Sequence, residues 1–209
     1  MSKKNIFFLI GLPGSGKSTL TKYLANILNY SVISSNTILE EDSVLNGNYL
    51  KETYVNHGIS IPDDLYVYLV SKLIKKTQND TFIIEGFPYN LNQLKLAEKM
   101  VKQTNSKLCG VIYLNETEET IYNRLINRMV CPNCNQSYNN AIDICPECLI
   151  KLTKRDDDEI EIINKRINDQ KQSLEEVISY YLKTDKLLEL KNLDSSDIEY
   201  GIQKIKERS

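Results

Sequence analysis

One run of residues near the start of the chain has the types and spacing to handle phosphate. It reads Gly11-Leu12-Pro13-Gly14-Ser15-Gly16-Lys17-Ser18, followed by Thr19. The spacing G-x-x-x-x-G-K-[ST] belongs to a loop that cradles phosphate groups. Glycines allow the tight turn and let backbone N–H groups approach phosphate oxygens. A helix opening behind the loop adds its partial positive charge. Lys17 would reach the β and γ phosphates of a nucleoside triphosphate, and the Ser18 hydroxyl would bind Mg2+. The plainer reading is a strand–turn–helix joint that is glycine-rich for packing. Every motif position and both flanks are satisfied, which favours nucleotide binding.

Arginine is the second signal. Of 26 basic residues only five are arginines, namely Arg124, Arg128, Arg155, Arg166 and Arg208, and the first 123 residues hold none. A guanidinium gives phosphate a rigid donor fork that lysine lacks. Arg124 and Arg128 are four apart, so they are expected on one helix face. Arg155 and Arg166 follow an inserted segment that the four together bracket, which suggests a lid closing over a triphosphate. Each arginine taken alone could equally be solvated or salt-bridged. Glu85, closing an apolar strand, would hold the Mg2+ water shell or simply face solvent.

The third signal is a pair of knuckles, Cys131-Pro-Asn-Cys134 and Cys145-Pro-Glu-Cys148. Two C-x-x-C pairs at this separation offer four thiolates to one tetrahedral Zn2+. Such a set is closed, so the zinc would be structural and would fold a module too small to hold its own core. Disulfides or free thiols are the alternatives. Cys109 reads as a buried core thiol and His57 as a loop residue without an acid–base partner.

These groups need a frame. Residues 6–10 (IFFLI) predict a fully buried strand, and 31–33, 81–84, 108–114 and about 187–193 predict four more. Helical spacing lies between them: Leu20, Tyr23, Leu24, Ile27 and Leu28; Tyr66, Leu69, Val70 and Leu73 after Pro62; Leu94, Ala97 and Val101. Ile121, Arg124, Leu125 and Arg128 follow, capped by Asn115, and then a long stripe from Ile160 to Tyr181. A last helix runs to about residue 206. Between Gly47 and Gly58 the helical pattern is weak. Strands alternating with helices predict an α/β fold of three layers around a parallel five-stranded sheet.

Composition removes other classes. Charges nearly cancel at −2, which argues against a broad basic surface for non-specific nucleic-acid binding and leaves room only for a local basic cleft, so no nucleic-acid partner is expected. The early apolar run is too short to span a membrane or act as a secretory signal, so a reducing, cytoplasmic setting without disulfides is expected.

The motifs together resemble the adenylate kinase family of nucleoside monophosphate kinases. The loop is similar to G-x-P-G-x-G-K-G-T, and residues 33–39 (ISSNTIL) look like I-S-T-G-D-M-L. Glu85-Gly86-Phe87-Pro88 resembles D-G-F-P, with Gln93 at the spacing of the base-reading glutamine. Asn123-Arg124-Leu125-x-x-Arg128 matches D-R-x-x-x-R, Arg155-Asp156-Asp157-Asp158 resembles R-x-D-D, and Arg166 falls at the next lid-hinge arginine. The resemblance implies a P-loop kinase core over 1–34, 59–129 and 155–209, a helical acceptor-binding segment over 35–58, and a zinc-binding lid over 130–154. It implies transfer of the γ-phosphoryl of ATP to a nucleoside monophosphate, most naturally AMP, with Mg2+, by a monomer whose partners are small nucleotides.

In that reading Lys17, Arg124, Arg128, Arg155 and Arg166 are catalytic. Gly11, Gly14, Ser15, Gly16, Lys17, Ser18, Thr19, Glu85 and Arg124 hold the nucleotide and its metal. Ser35, Gly86, Gln93, Arg155 and Arg166 hold the acceptor. Gln93 is also readable as an ordinary helix-surface glutamine. The acceptor half departs from the family: Tyr89 and Glu40 stand where it has arginines, and Thr37 where it has an aspartate. A nucleotide-binding regulatory protein of the same fold, with weak or altered acceptor activity, is the alternative.

Overall fold

A computed structural model describes residues 3–54, 60–134, 136–139, 142–154, 158–191 and 195–209. His57 and Arg155 lie outside the described residues. Five parallel strands form one sheet in the order β2-β3-β1-β4-β7, comprising β1 (Lys4–Ile10), β2 (Ser31–Ile33), β3 (Thr81–Glu85), β4 (Ser106–Leu114) and β7 (Leu187–Leu190). The helices are α1 (Lys17–Leu28), α2 (Ser35–Asn46), α3 (Tyr49–Thr53), α4 (Asp63–Lys76), α5 (Leu91–Gln103), α6 (Glu118–Ile126), α7 (Ile160–Lys183) and α8 (Ser195–Arg208).

Strand alternation makes the three layers. Ile6, Phe8 and Ile10 of β1 enter the core that also holds Val70, Ile74, Leu94, Ala97, Ile121, Ile163 and Val177, from α4 to α7. Phe7 and Leu9 enter the opposite core, with Leu20 and Leu24 of α1 and Ile205 of α8. Both faces are covered, so β1 reads as an unbroken apolar run.

The frame corrects several local expectations. In α1 the buried stripe is Leu20, Thr21 and Leu24, while Tyr23 and Ile27 are 45% and 49% exposed. Thr21 tolerates burial because its hydroxyl donates to the Lys17 carbonyl at 2.8 Å. In α4, Val67 and Ile74 are buried where Leu69 and Leu73 are only half-buried. Strand β7 stops at Leu190, α8 continues to Arg208, and Ile160 is exposed.

The segment after Ile33 is more helical than its periodicity. Ser34 and Thr37 form a reciprocal capping box, each side chain accepting from the other's backbone N–H, at 3.3 and 2.8 Å. Helix α6 is capped by Thr117, whose hydroxyl accepts from Thr120 N–H at 3.2 Å. Asn115, the expected cap, instead donates to Glu189 at 2.8 Å.

The cysteine module hangs from a narrow neck. Strands β5 (Arg128–Val130) and β6 (Ser137–Asn139) pair antiparallel. Val130 and Thr153 exchange two backbone hydrogen bonds of 2.7 and 2.9 Å.

Candidate functional site

Every parallel strand ends at the same edge, and that edge carries the site. The loop 11–16 connects β1 to α1. Gly14 has φ 79°, and a Cβ there would lie 2.7 Å from Leu125 Cγ, so only glycine fits between the loop and α6. Ser15 is buried, and its hydroxyl has no partner among the described residues. Lys17 opens α1 and folds back to donate to the carbonyls of Gly11 and Leu12, both at 2.8 Å. Burial lowers its ammonium from the ordinary lysine range to about 8. Glu85 opposes that shift, and the guanidinium groups of Arg166 and Arg128 add to it.

Ser18 and Thr19 are exposed in the first turn of α1. The Ser18 hydroxyl donates to Glu85 Oε1 at 2.5 Å, bringing the two expected metal-side groups together. A hydroxyl beside a carboxylate at the mouth of a phosphate loop fits a hydrated Mg2+ arriving with nucleotide.

The arginines reach the loop by different routes from the one expected. Helix α6 ends at Ile126, and Arg128 begins β5, so Arg124 and Arg128 do not share a helix face. The cause is local: Asn127 Nδ2 donates to the Asn123 carbonyl at 2.9 Å and closes the helix. Arg124 donates to the Ser15 carbonyl at 2.9 Å and to Glu116, a nearly buried carboxylate, at 3.2 Å. Arg128 grips both oxygens of Asp158, its Nε reaching Oδ2 at 2.7 Å. Arg166, on α7, has its Nη1 3.9 Å from the same carboxylate. The Asp158 side chain is 3% exposed and gathers both guanidinium groups, whose positive charges are felt at Lys17. The spacing rule missed the anchors Asp158 and Glu116. Asp158 stood in plain view in the acidic run after Arg155, but its partners are a tertiary matter.

The acceptor side lies beyond β3. Gly86 has φ 71°, and a Cβ there would meet nothing within 4 Å, which leaves open space above the strand end. Ser35 is exposed at the start of α2 and hydrogen-bonds the Tyr66 hydroxyl, whose ionisation burial pushes up. Glu40 is exposed on α2 and Tyr89 is half-buried. Gln93 is 5% exposed, which removes the helix-surface reading. It accepts from Tyr89 N–H at 3.1 Å and donates to Asp63 Oδ1 at 2.7 Å.

A family model described as adenylate kinase matches residues 9–186. The adenylate kinase of Mycoplasma mycoides subsp. mycoides SC is 33% identical over 196 residues, covering 90% of this chain and 92% of the relative. That of Chlamydia pneumoniae is 32% identical, covering 95% of each chain. That of Chlamydia caviae is 34% identical, covering 92% of this chain and 93% of the relative. The chain belongs to the adenylate kinase family. It is therefore a nucleoside monophosphate kinase, with ATP and Mg2+ as its phosphoryl donor system.

The chain carries its four module cysteines as one cluster, with all Sγ atoms within 4.8 Å of one another. Cys134 and Cys145 Sγ are 3.8 Å apart. A tetrahedral Zn2+ with Zn–S near 2.3 Å requires S···S separations of about 3.8 Å, so the cage has the right size. Backbone N–H groups of Cys134 and Cys148 point at the sulfurs of Cys131 and Cys145, at 3.5 and 3.4 Å. Burial opposes ionisation of Cys145, but hydrogen bonds from Tyr138 and from backbone N–H groups outweigh it and bring the thiol down to about 6. Cys134 accepts a backbone bond at Gln136, yet burial and its three sulfur neighbours push it up to about 12. None of the five cysteines is bridged.

Proposed function

We propose that the chain transfers the γ-phosphoryl of ATP to AMP by direct in-line attack, with Lys17, Arg124, Arg128 and Arg166 neutralising charge on the transferring group. The observation that carries this assignment is the gathering of Arg128 and Arg166 on one buried carboxylate, Asp158, beside a phosphate loop that Arg124 also contacts. Phosphoryl transfer needs positioned positive charge and excluded water rather than a covalent nucleophile. Asp158 holds the guanidinium groups so that little reorganisation is left for the moment of transfer. Ser18 and Glu85 would hold Mg2+, which supplies further charge neutralisation on the β and γ oxygens when bound. Loop N–H groups at Gly11, Gly14, Ser15, Gly16 and Thr19 would cradle the phosphates.

On the acceptor side, Ser35, Gly86 and Gln93 would receive the monophosphate, and Arg155 and Arg166 would meet its phosphate. Cys131, Cys134, Cys145 and Cys148 would hold a structural Zn2+ that stiffens the module over 130–154. Cytoplasmic residence and a monomeric state belong to the same reading. Among the described residues, no helix is long and apolar enough to cross a membrane. The test is ADP formation from ATP and Mg2+ with each nucleoside monophosphate in turn. AMP-stimulated turnover supports the assignment. Tight ATP binding without acceptor-stimulated turnover would sink it in favour of the regulatory reading.

A further inference from the structure

We propose that Asp63 is a positioning residue that fixes the sense of the Gln93 amide and, through it, the choice between adenine and guanine in the acceptor. The inference rests on the reading that Gln93 meets the acceptor base.

The amide has two contacts, one at each end. Its Oε1 accepts from the Tyr89 N–H at 3.1 Å, and its Nε2 donates to Asp63 Oδ1 at 2.7 Å. The other carboxylate oxygen, Oδ2, accepts from Asn92 Nδ2 at 2.8 Å, which pins Asp63 from the same helix that carries Gln93. A backbone N–H can only donate and a carboxylate can only accept. Turning the amide by 180° would set Nε2 against the Tyr89 N–H and Oε1 against the Asp63 carboxylate. Two hydrogen bonds would become two repulsive contacts in a nearly closed setting, since Gln93 is 5% exposed. The amide therefore has one sense.

Each end keeps capacity for a ligand: one N–H on Nε2 and one lone pair on Oε1. Adenine presents an acceptor at N1 beside a donor at N6. Guanine presents the reverse, a donor at N1 beside an acceptor at O6. A freely turning glutamine could serve both. One held between Tyr89 and Asp63 serves a single pattern and leaves buried groups unpaired against the other, which is the strong form of discrimination. With AMP as acceptor, Nε2 faces N1 and Oε1 faces the N6 amino group.

The experiment compares kcat/KM for AMP and GMP, at saturating ATP and Mg2+, in the wild type, D63A, D63E and Q93L. In D63A the AMP-to-GMP ratio is expected to fall at least tenfold, and D63E, which restores an acceptor-only group, should recover most of it. If D63A does not fold, the near-isosteric D63N takes its place, because its amide can turn to suit either sense of Gln93. A purely structural role would weaken AMP and GMP use in parallel and leave the ratio alone, which overturns the proposal. Q93L separates the two levels. If Q93L abolishes the preference while D63A keeps it, the lock is wrong and base reading by Gln93 stands. If Q93L leaves the preference intact, base reading fails and the lock with it.

Discussion

Lys17 uses two of its three N–H bonds on the carbonyls of Gly11 and Leu12 and is drawn down to about 8 by burial. Phosphate oxygens would restore its positive charge by direct attraction. The sign follows: well below pH 8 the lysine is protonated before and after binding, so no proton moves. Above about 8 it is largely neutral before binding and protonated after, so ATP binding takes up a proton. Calorimetry at pH 8.5 in two buffers of different ionisation heat should show this uptake, and Lys17→Met should abolish it. Arg128 supplies a second case. Arg128→Lys keeps the charge but loses the two-pronged grip on Asp158. Turnover is expected to drop by about 100-fold or more, as for loss of one transition-state donor, with ATP affinity nearly unchanged. Equal losses in both would assign Arg128 to ground-state binding.

Helix ends, more than helix middles, decide what reaches the loop. Gly14 sits where β1 has ended and α1 has not begun, pressed against Leu125 of α6. Gly14→Ala should cost about 1–3 kcal/mol through strain and overpacking, read as a lower melting temperature, and should weaken ATP binding as well. Strands β1, β3 and β4 and the phosphate loop were legible because burial on both faces and glycine spacing are written locally. The end of α6 was not: Asn127 stops it through its own side chain, and that choice moves Arg128 from a helix face to a strand. Tyr23 and Ile27 misled for a related reason, since a threonine satisfied within the helix can take the buried position that apolar spacing assigns elsewhere. Thr37 stands where the family has an aspartate, and its hydroxyl closes the capping box of α2, a role visible only once the helix start is known. The anchors Asp158, Glu116 and Asp63 escaped because a carboxylate's partner is set by tertiary neighbours.

At the scale of the molecule, the cysteine module is joined through β5 and the Val130–Thr153 pair, and its small core contains two of the cysteines themselves. Stripping metal with a chelator is expected to lower the melting temperature and to open 130–154 to protease before the sheet. Unchanged melting after verified zinc removal would refute a structural role. The sheet order has a different consequence, for how the chain comes together. The most apolar strand, β1, leads the sequence, yet its two neighbours arrive late: Asn5 lies opposite Thr81 on one side and Lys107 on the other. Nothing local can satisfy it, so a nascent chain carries an unpaired, sticky strand until β4 has been made. Folding should be slow for the size of the protein, because distant loops must close before burial rewards them. Fragments ending before residue 106 should aggregate rather than fold.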